Sequence, residues 1–255
     1  MRNAKIVCTL GPASAERETI RALADAGMTV ARINASHGTR EDRAELIDHV
    51  REVDAAVEKP VAAMLDLQGP EIRTADVDEP IALETGTEVR FFEGDHASTT
   101  EVGLTVDVSA VEAGDRILLD DGRIETVVDR VEDDRVVANV ESGGLLESRR
   151  GVNVPGVDLG LELITEKDRR DLELAAEAGV DFVAASFVKS GDDVLAVNEV
   201  LENAGADIPI VAKIEKVEAV VNLEGVIDAA YGVMVARGDL GVECPMEDVP
   251  LIQKR

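Results

Sequence analysis

The chain has 255 residues, and its 53 Asp and Glu outnumber its 26 Lys and Arg, which gives a formal net charge of −27. This charge repels the phosphate backbone of nucleic acids and excludes them as natural partners. It also opposes anionic small molecules unless salt screens the repulsion, and the Debye length falls to about 3 Å near 1 M salt. The composition therefore favours a halophilic cytosolic protein, with an ordinary acidic protein of a mesophile as the alternative.

The sequence lacks the signals of a disulfide framework and of a membrane span. Cys8 and Cys244 are too few for such a framework and indicate a reducing compartment. The start of the chain imitates a signal peptide, but its apolar stretch is short and is interrupted by Gly11-Pro12. Because no run approaches the roughly 18 apolar residues of a membrane helix, we expect a cytoplasmic protein with no membrane partner.

The segment up to about Pro70 alternates strand, helix, strand, helix and strand. A helix is predicted over 16–26 from apolar residues at helical spacing. The next helix begins at Thr39, because Asp42 three residues later completes a capping-box signal.

A β-rich segment follows from Glu71 to Pro155, where the apolar period changes to two. Asp121-Gly122 separates two of its short strands, and this dipeptide is a strong hairpin signal. Asp120 and Asp121 are therefore interpreted first as turn formers.

Strand–helix alternation returns after the β-rich segment. Helices are predicted to begin at Thr165 and Ser190, each of which has Asp three residues later. Further strands are predicted at 181–187, 209–214 and 232–236. Six strands that alternate with helices, interrupted after the third, predict an α/β fold of (β/α)8 TIM-barrel type, truncated after about six strands. The predicted domains are 1–70 for the first part of the barrel, 71–154 for an inserted small β-barrel lid, and 155–255 for the continued, incomplete barrel.

Charged residues recur where the predicted strands end. Lys213 and Glu215 are two residues apart near the end of one strand, so they point to the same face, and Asp239 closes the next strand. Buried charge is costly unless it is paired or binds a metal. The pattern predicts one divalent cation held by Glu215 and Asp239, with Lys213 facing an anionic substrate. The alternative is a structural Lys213–Glu215 ion pair beside an unrelated helix-capping Asp239.

The same pattern occurs earlier in the chain. Arg32, Asn34 and Ser36 follow one another in steps of two at the end of the second strand. Asp66 ends the third strand, and Arg73 follows it. Barrel enzymes keep their chemistry in the loops after their strands, because these loops vary while the barrel holds them. The hypothesis is a phosphate-and-metal site.

Eight segments resemble successive signatures of the pyruvate kinase family. They occur in that family's order and spacing and cover essentially the whole chain: KIVCTLGPAS (5–14), ARINASHG (31–38), GPEIRT (69–74), LLDDGRI (118–124), RRGVNVPG (149–156), DFVAASFV (181–188), AKIEKVE (212–218) and MVARGDLGVE (234–243). The resemblance implies phosphoryl transfer from phosphoenolpyruvate to ADP, giving pyruvate and ATP in the last step of glycolysis. It also implies Mg²⁺ (or Mn²⁺) and K⁺ as cofactors and a homotetramer for the full-length form.

The resemblance also implies a role for individual residues. Catalysis and binding of phosphoenolpyruvate would fall to Arg32, Lys213, Gly238 and Asp239. Mg²⁺ would be held by Glu215 and Asp239. K⁺ would be held by Asn34, Ser36, Asp66 and the backbone carbonyl of Leu67. The nucleotide would contact Asn34, His37, Arg73 and Arg150. For His37 the alternative is a loop histidine that bonds locally, and for Arg150 it is a structural residue of the lid.

The chain departs from the family at several positions. The family has Thr where Leu67 stands, so only the backbone carbonyl is kept, and Gln68 replaces a common Lys. Glu71 matches the acidic residue of potassium-dependent members, whose negative charge a monovalent cation would offset. The family's barrel has eight strands and is followed by a regulatory domain, whereas this sequence stops at Arg255. We therefore expect a fragment that is inactive alone, because six strands leave two unpaired edges. The alternative is that something else covers those edges.

Two other functions stay open on the sequence. One is a metal-dependent aldolase or lyase acting on phosphoenolpyruvate or pyruvate, although an inserted lid and nucleotide-binding residues have no use in such an enzyme. The other is a non-catalytic, truncated module that binds the metal and ligand without turnover.

Screening of the negative charge generates a prediction about stability. Mutual repulsion should lower the melting temperature in about 0.1 M KCl, and about 2 M KCl should raise it by several degrees. Circular dichroism measures the change, and chloride is used because sulfate stabilises most proteins by exclusion. An unchanged melting temperature would contradict the halophilic interpretation.

Overall fold

The computed structural model describes residues 4–255, so the first three residues of the predicted 1–70 segment lie outside it. The chain forms two compact units. The first consists of the described residues up to Gly69 together with Leu163–Val235, and the second of Pro70–Glu162 and Ala236–Arg255. The predicted division into barrel (1–70 and 155–255) and inserted lid (71–154) stays a prediction.

Helices and strands follow one another in chain order. The first part contains β1 (Val7–Leu10), a short 3-10 helix (Pro12–Ser14), α1 (Arg17–Ala26), β2 (Val30–Asn34), α2 (Arg40–Ala56) and β3 (Ala62–Asp66). The middle part contains β4 (Ile72–Arg73), β5 (Ile81–Leu83), β6 (Glu88–Glu93), β7 (Glu101–Leu104), β8 (Arg116–Leu119), β9 (Ile124–Glu132), β10 (Arg135–Ser142), β11 (Gly144–Leu146) and β12 (Gly151–Asn153). The last part contains α3 (Glu166–Ala178), β13 (Phe182–Ala185), α4 (Gly191–Asn203), β14 (Ile210–Ile214), α5 (Val217–Val221), α6 (Leu223–Ala229), β15 (Gly232–Val235), α7 (Arg237–Glu243) and α8 (Val249–Gln253).

The first unit is built on a six-stranded parallel sheet. Its strand order is β1-β2-β3-β13-β14-β15, so each strand pairs with the next barrel strand along the chain. This arrangement confirms the predicted α/β fold, a TIM-barrel type truncated after six strands. The predicted edge strands β1 and β15 lie at the two ends of the order, and Val7 and Val233 on them are 46% and 42% exposed.

Three predicted helix starts are confirmed by their capping boxes. Thr39 accepts a hydrogen bond from the backbone N–H of Asp42 and donates its own N–H to the Asp42 carboxylate. Thr165 and Asp168 make the same reciprocal pair, and Asp193 accepts from the backbone of Ser190. These bonds satisfy donors that a helix start otherwise leaves unpaired, and they hold the pKa of Asp42 below its ordinary value.

The second unit contains a seven-stranded sheet that closes on itself. Its order is β4-β12-β8-β9-β10-β6-β7, and the residue after β4, Thr74, bridges to Leu104 at the end of β7. The Thr105 N–H also donates to the Arg73 carbonyl at 3.0 Å. Inward apolar side chains such as Phe91 fill the closed sheet. The predicted hairpin joins β8 to β9. The Arg123 N–H donates to the Asp120 carbonyl, and the two central residues of the turn, Asp121 and Gly122, have the positive φ values that such a turn requires.

Two predicted strand ends were wrong. The strand predicted to 187 ends at Ala185, because Phe187 takes a left-handed conformation (φ 58°) that no strand can continue. The strand predicted to 236 ends at Val235, and the first helical bond of α7 joins the Leu240 N–H to the Ala236 carbonyl. Gly238 and Asp239 therefore lie inside the first turn of α7, where an acidic residue is favoured by the helix dipole.

No helix within residues 4–255 is long and apolar enough to cross a membrane.

Candidate functional site

The carboxyl ends of four neighbouring strands bring five charged or polar side chains together in the first unit. The register places Asn34 of β2 opposite Asp66 of β3, and Asp66 opposite Ala184 of β13. The side chains that meet there are defined here as the ion cluster: Arg32, Asp66, Ser186, Lys213 and Glu215. All of them lie on β2, β3 and β14 or directly follow β13 or β14.

Asp66 lies at the centre of the ion cluster. Its side chain is 1% exposed, which makes an unpaired charge there very costly. The Arg32 Nε donates to Asp66 Oδ2 at 2.6 Å, and Nη2 of the same guanidinium also contacts that oxygen. Lys213 Nζ lies 3.3 Å from the other oxygen, Oδ1. One buried carboxylate therefore holds both predicted catalytic cations.

Lys213 makes three polar contacts at the end of β14. Its Nζ lies 2.7 Å from Glu215 Oε1 and donates to Ser186 Oγ at 2.7 Å, in addition to its contact with Asp66. Burial alone would lower the pKa of Lys213, but Asp66 and Glu215 outweigh it and raise the pKa above the ordinary 10.5. Lys213 is therefore a cation throughout the physiological pH range. The Lys213–Glu215 pair that the sequence allowed as a structural alternative is present.

Glu215 is oriented from two sides. Oε2 accepts a hydrogen bond from the backbone N–H of Phe187 at 2.9 Å, and Oε1 faces Lys213. Phe187 presents this N–H from its left-handed conformation, which is a sparsely populated state that recurs at functional sites. Gly69, also left-handed at φ 71°, passes so near that a Cβ there would lie 2.6 Å from the Phe187 ring. Only glycine fits at that position.

The predicted potassium ligands Asn34, Ser36, Asp66 and Leu67 all lie in the first unit, at the ends of β2 and β3 or in the loops that follow. Asn34 Oδ1 accepts from the Ser36 N–H at 3.0 Å, which draws the residues after β2 back towards Asn34. The Leu67 carbonyl accepts from Ser186 Oγ at 2.7 Å. Carboxylate, amide and carbonyl oxygens are the ligands that hard cations take.

Ser186 was missed by the sequence reasoning. It bridges Lys213 Nζ and the Leu67 carbonyl and is 4% exposed. The signal that could have identified Ser186 is the same as for Asp66: a polar residue at the end of a buried apolar strand. Asp168 was predicted only as a capping residue, but its Oδ1 also accepts from the Gly69 N–H at 3.0 Å and holds the loop after β3.

The predicted nucleotide contacts Arg73 and Arg150 lie together in the second unit, on β4 and next to β12. The Thr74 N–H donates to the Arg150 carbonyl at 2.8 Å. Both arginines are paired with acids of the same unit. Arg73 binds Glu71 and Arg150 binds Asp120, with Nη–carboxylate distances of 2.5 and 3.4 Å. These carboxylates would have to share the arginines with any phosphate that binds there.

Two cavities contain other predicted site residues. His37 lines one of about 400 Å³ in the first unit, together with Asn34 and Pro12. Gly238 and Asp239 line one of about 650 Å³ in the second unit. Across the described part of the chain, residues 4–255, no three His, Cys, Asp or Glu side chains form a ready-made metal cage. Mg²⁺ does not require one, because it takes one or two protein carboxylates and fills its other positions with water and substrate oxygens.

The fold and the ion cluster together are typical of one class of protein, the barrel enzymes. A parallel α/β sheet with a fixed, buried cation beside oriented carboxylates at its carboxyl edge is typical of barrel enzymes that act on anionic substrates.

Comparison with known proteins gives the family. The profile of the family described as "Pyruvate kinase, barrel domain" matches residues 1–255. A pyruvate kinase of Mycobacterium tuberculosis (strain H37Rv) is 45% identical over 261 residues, covering 100% of this chain and 55% of the relative. One of Geobacillus stearothermophilus is 45% identical over 260 residues, covering 99% and 44%, and plastidial pyruvate kinase 2 of Arabidopsis thaliana is 44% identical over 257 residues, also covering 99% and 44%. The chain belongs to the pyruvate kinase family. It spans about half the length of the relatives it matches.

The ion cluster generates a prediction about stability and pH. Lys213→Met leaves Asp66 and Glu215 with one cation fewer in a buried site, which should cost about 3–5 kcal/mol of folding free energy near pH 7. In the wild type the pKa of Lys213 is raised, so its contribution is complete below the ordinary value and is lost only at higher, alkaline pH.

Urea denaturation at several pH values measures these differences, with the exposed Lys59→Met as the matched control. A loss at neutral pH no larger than that of Lys59→Met would show that the ion cluster is not the source of the stability.

Proposed function

We propose that the protein containing this chain transfers the phosphoryl group of phosphoenolpyruvate to ADP, giving pyruvate and ATP. The observation that carries the proposal is the buried, charged Lys213 held between Asp66 and Glu215. It occurs at the carboxyl edge of the sheet, in a chain that matches the pyruvate kinase barrel domain from end to end. A cytoplasmic location, assembly into a homotetramer and adaptation to high salt belong to the same proposal.

Lys213 and Arg32 would neutralise the charge that moves during the reaction. Phosphoryl transfer needs little covalent work from the protein, so catalysis is mostly positioning and electrostatic stabilisation. Lys213, already ionised and fixed by Ser186, would face the phosphoryl group in transit and stabilise the enolate that remains. Arg32, with its Nε fixed by Asp66, would clamp the phosphate. Gly238 and Asp239, in the first turn of α7, would bind the substrate carboxylate through backbone N–H groups.

Glu215 fits the role of a divalent-cation ligand, with Asp239 as the second proposed carboxylate. Its side chain is 4% exposed, and hydrogen bonds from Lys213 and the Phe187 N–H orient it, as outer groups orient metal ligands elsewhere. When bound, Mg²⁺ or Mn²⁺ would polarise and neutralise substrate oxygens.

Asn34, Ser36, Asp66 and the Leu67 carbonyl are the proposed potassium ligands. Asn34 is also proposed to contact the nucleotide, together with His37, Arg73 and Arg150. The charge of Glu71, which was the sequence argument for K⁺, is already partly compensated by Arg73 in the structure. The requirement for K⁺ should therefore depend on this pair as well as on the anionic substrates.

Formation of ATP tests the proposed function most directly. The assay uses the 255-residue chain and a hybrid polypeptide, in which residues 1–255 are followed by the part of the Geobacillus stearothermophilus relative that lies beyond the matched region. The hybrid should make ATP from phosphoenolpyruvate and ADP. Lys213→Met in the hybrid should lower kcat about 10²–10³-fold with little change in phosphoenolpyruvate binding, because the lost charge acts mainly in the transition state.

The control for this assay is Lys59→Met, which should leave kcat unchanged. A hybrid that melts cooperatively but makes no ATP would contradict the proposed function. Retention of more than about a tenth of the activity in Lys213→Met would contradict the role of that residue.

Dependence on K⁺ is a separate expectation. In a buffer of tetramethylammonium salts at constant ionic strength, the hybrid should lose most of its activity and regain it as KCl is added. Glu71→Lys should partly relieve the requirement, because it supplies a positive charge covalently. Full activity of the unmodified hybrid without K⁺ or Na⁺ would show that the proposed ligands do not form a required cation site.

A further inference from the structure

Arg43 lies on α2 but binds the loop that precedes this helix. The loop joins β2 to α2, spans residues 35–39, and is named here the β2–α2 loop. The Arg43 side chain is 7% exposed, and its Nη1 donates to the backbone carbonyls of His37 and Gly38 at 3.1 and 3.0 Å. A third carbonyl of the loop, that of Ala35, lies 3.5 Å from the same nitrogen. One nitrogen of a buried guanidinium thus faces three backbone carbonyls of the loop.

A carboxylate on the neighbouring helix holds Arg43 in this position. Asp171 of α3 is 1% exposed, and its Oδ1 accepts from Arg43 Nη2 at 2.7 Å. Its other oxygen accepts from Lys167 Nζ at 2.7 Å. The same Lys167 Nζ also donates to the Ala35 carbonyl at 2.5 Å. Two cations that share one buried carboxylate therefore converge on the carbonyls of a single short loop.

We propose that Arg43, anchored by Asp171, is a positioning residue that sets the conformation of the β2–α2 loop. The proposal rests on the proposed function, because this loop carries Ser36 and His37, the proposed potassium and nucleotide contacts. The carbonyls of Ala35, His37 and Gly38 face Arg43, and that of Ala35 also accepts from Lys167, so these two cations orient the loop backbone. The Ser36 and His37 N–H groups meanwhile donate to Asn34, at 3.0 and 3.4 Å.

Lysine cannot replace Arg43 in this role. A guanidinium is a planar fork with five donors, so it can bind Asp171 with one nitrogen and the loop with another. An ammonium group is a single point charge, so it binds either the carboxylate or the carbonyls. Arg43→Lys therefore keeps the charge in a buried site while releasing the loop, which separates positioning from overall stability.

Arg40 supplies the matched control, because it joins the same two helices without touching the loop. It lies on α2 like Arg43 and binds α3 through the Arg170 carbonyl and Glu177. Its side chain is 35% exposed. Arg40→Lys therefore weakens a contact between α2 and α3 and leaves the loop carbonyls with their donors.

Hydrogen exchange of the chain tests the positioning independently of activity. In Arg43→Lys the amides of Ser36 and His37 should exchange about tenfold faster, which corresponds to the loss of about one charge-assisted hydrogen bond. Asp171→Asn should have the same effect, because it releases Arg43 from its anchor. Amides in β3 and β14 should keep their rates, and Arg40→Lys should change none of these. Unchanged exchange of Ser36 and His37 in both Arg43→Lys and Asp171→Asn would overturn the proposal.

Kinetics of the hybrid polypeptide test the consequence for the site. Arg43→Lys should raise the K⁺ activation constant and the KM for ADP about tenfold. The KM for phosphoenolpyruvate and the kcat at saturating K⁺ and ADP should change less than about twofold, because Arg32 and Lys213 do not lie on the loop. A uniform fall in kcat with all constants unchanged, or an equal effect of Arg40→Lys, would assign Arg43 a merely structural role. If the unmodified hybrid makes no ATP, the proposed function fails, and the exchange experiment still decides whether Arg43 sets the loop.

Discussion

A buried carboxylate at the end of the third parallel strand is the constraint on which the candidate site depends. Asp66 is almost completely shielded from water, and an ionised carboxylate in such a place needs cations and hydrogen-bond donors. Arg32 and Lys213 supply the cations from the strand before it and from a strand two positions along the sheet. The requirement to neutralise one anion thus fixes two cations, and these are the groups that the proposed reaction uses.

The same constraint extends to the groups around Lys213. Its ammonium has three partners, and two of them, Glu215 and Ser186, have further partners of their own. Glu215 accepts from the left-handed Phe187, and Ser186 donates to the Leu67 carbonyl. The contacts thus link the ends of three neighbouring strands to one another. Preorganisation of this kind lets a site stabilise developing charge without reorganising at the moment of reaction.

Much of the fold could be predicted because its signals are local. The capping boxes at Thr39 and Thr165, the hairpin at Asp121-Gly122 and the six apolar strands depend on neighbours a few residues apart. The role of Asp66 as the partner of Arg32 and Lys213 could not be predicted. It depends on the register of strands whose residues lie 34 and 147 positions away in the chain. Ser186 and Arg43 escaped for the same reason. Asp239 was predicted to close a strand but lies in the first turn of α7. An apolar run shows that a strand exists, but it does not show where the following helix begins.

Asp66 and Lys213 should stabilise the fold through each other, and a double-mutant cycle measures this coupling directly. Unfolding free energies would be determined by urea titration for the wild type, Asp66→Asn, Lys213→Met and the double variant, in a buffer free of K⁺ and divalent cations. We expect a coupling energy of at least about 1 kcal/mol, because either single change leaves the remaining partner with one counter-charge fewer in a buried site. Effects that add to within about 0.3 kcal/mol would contradict it, since the two side chains would then be independent.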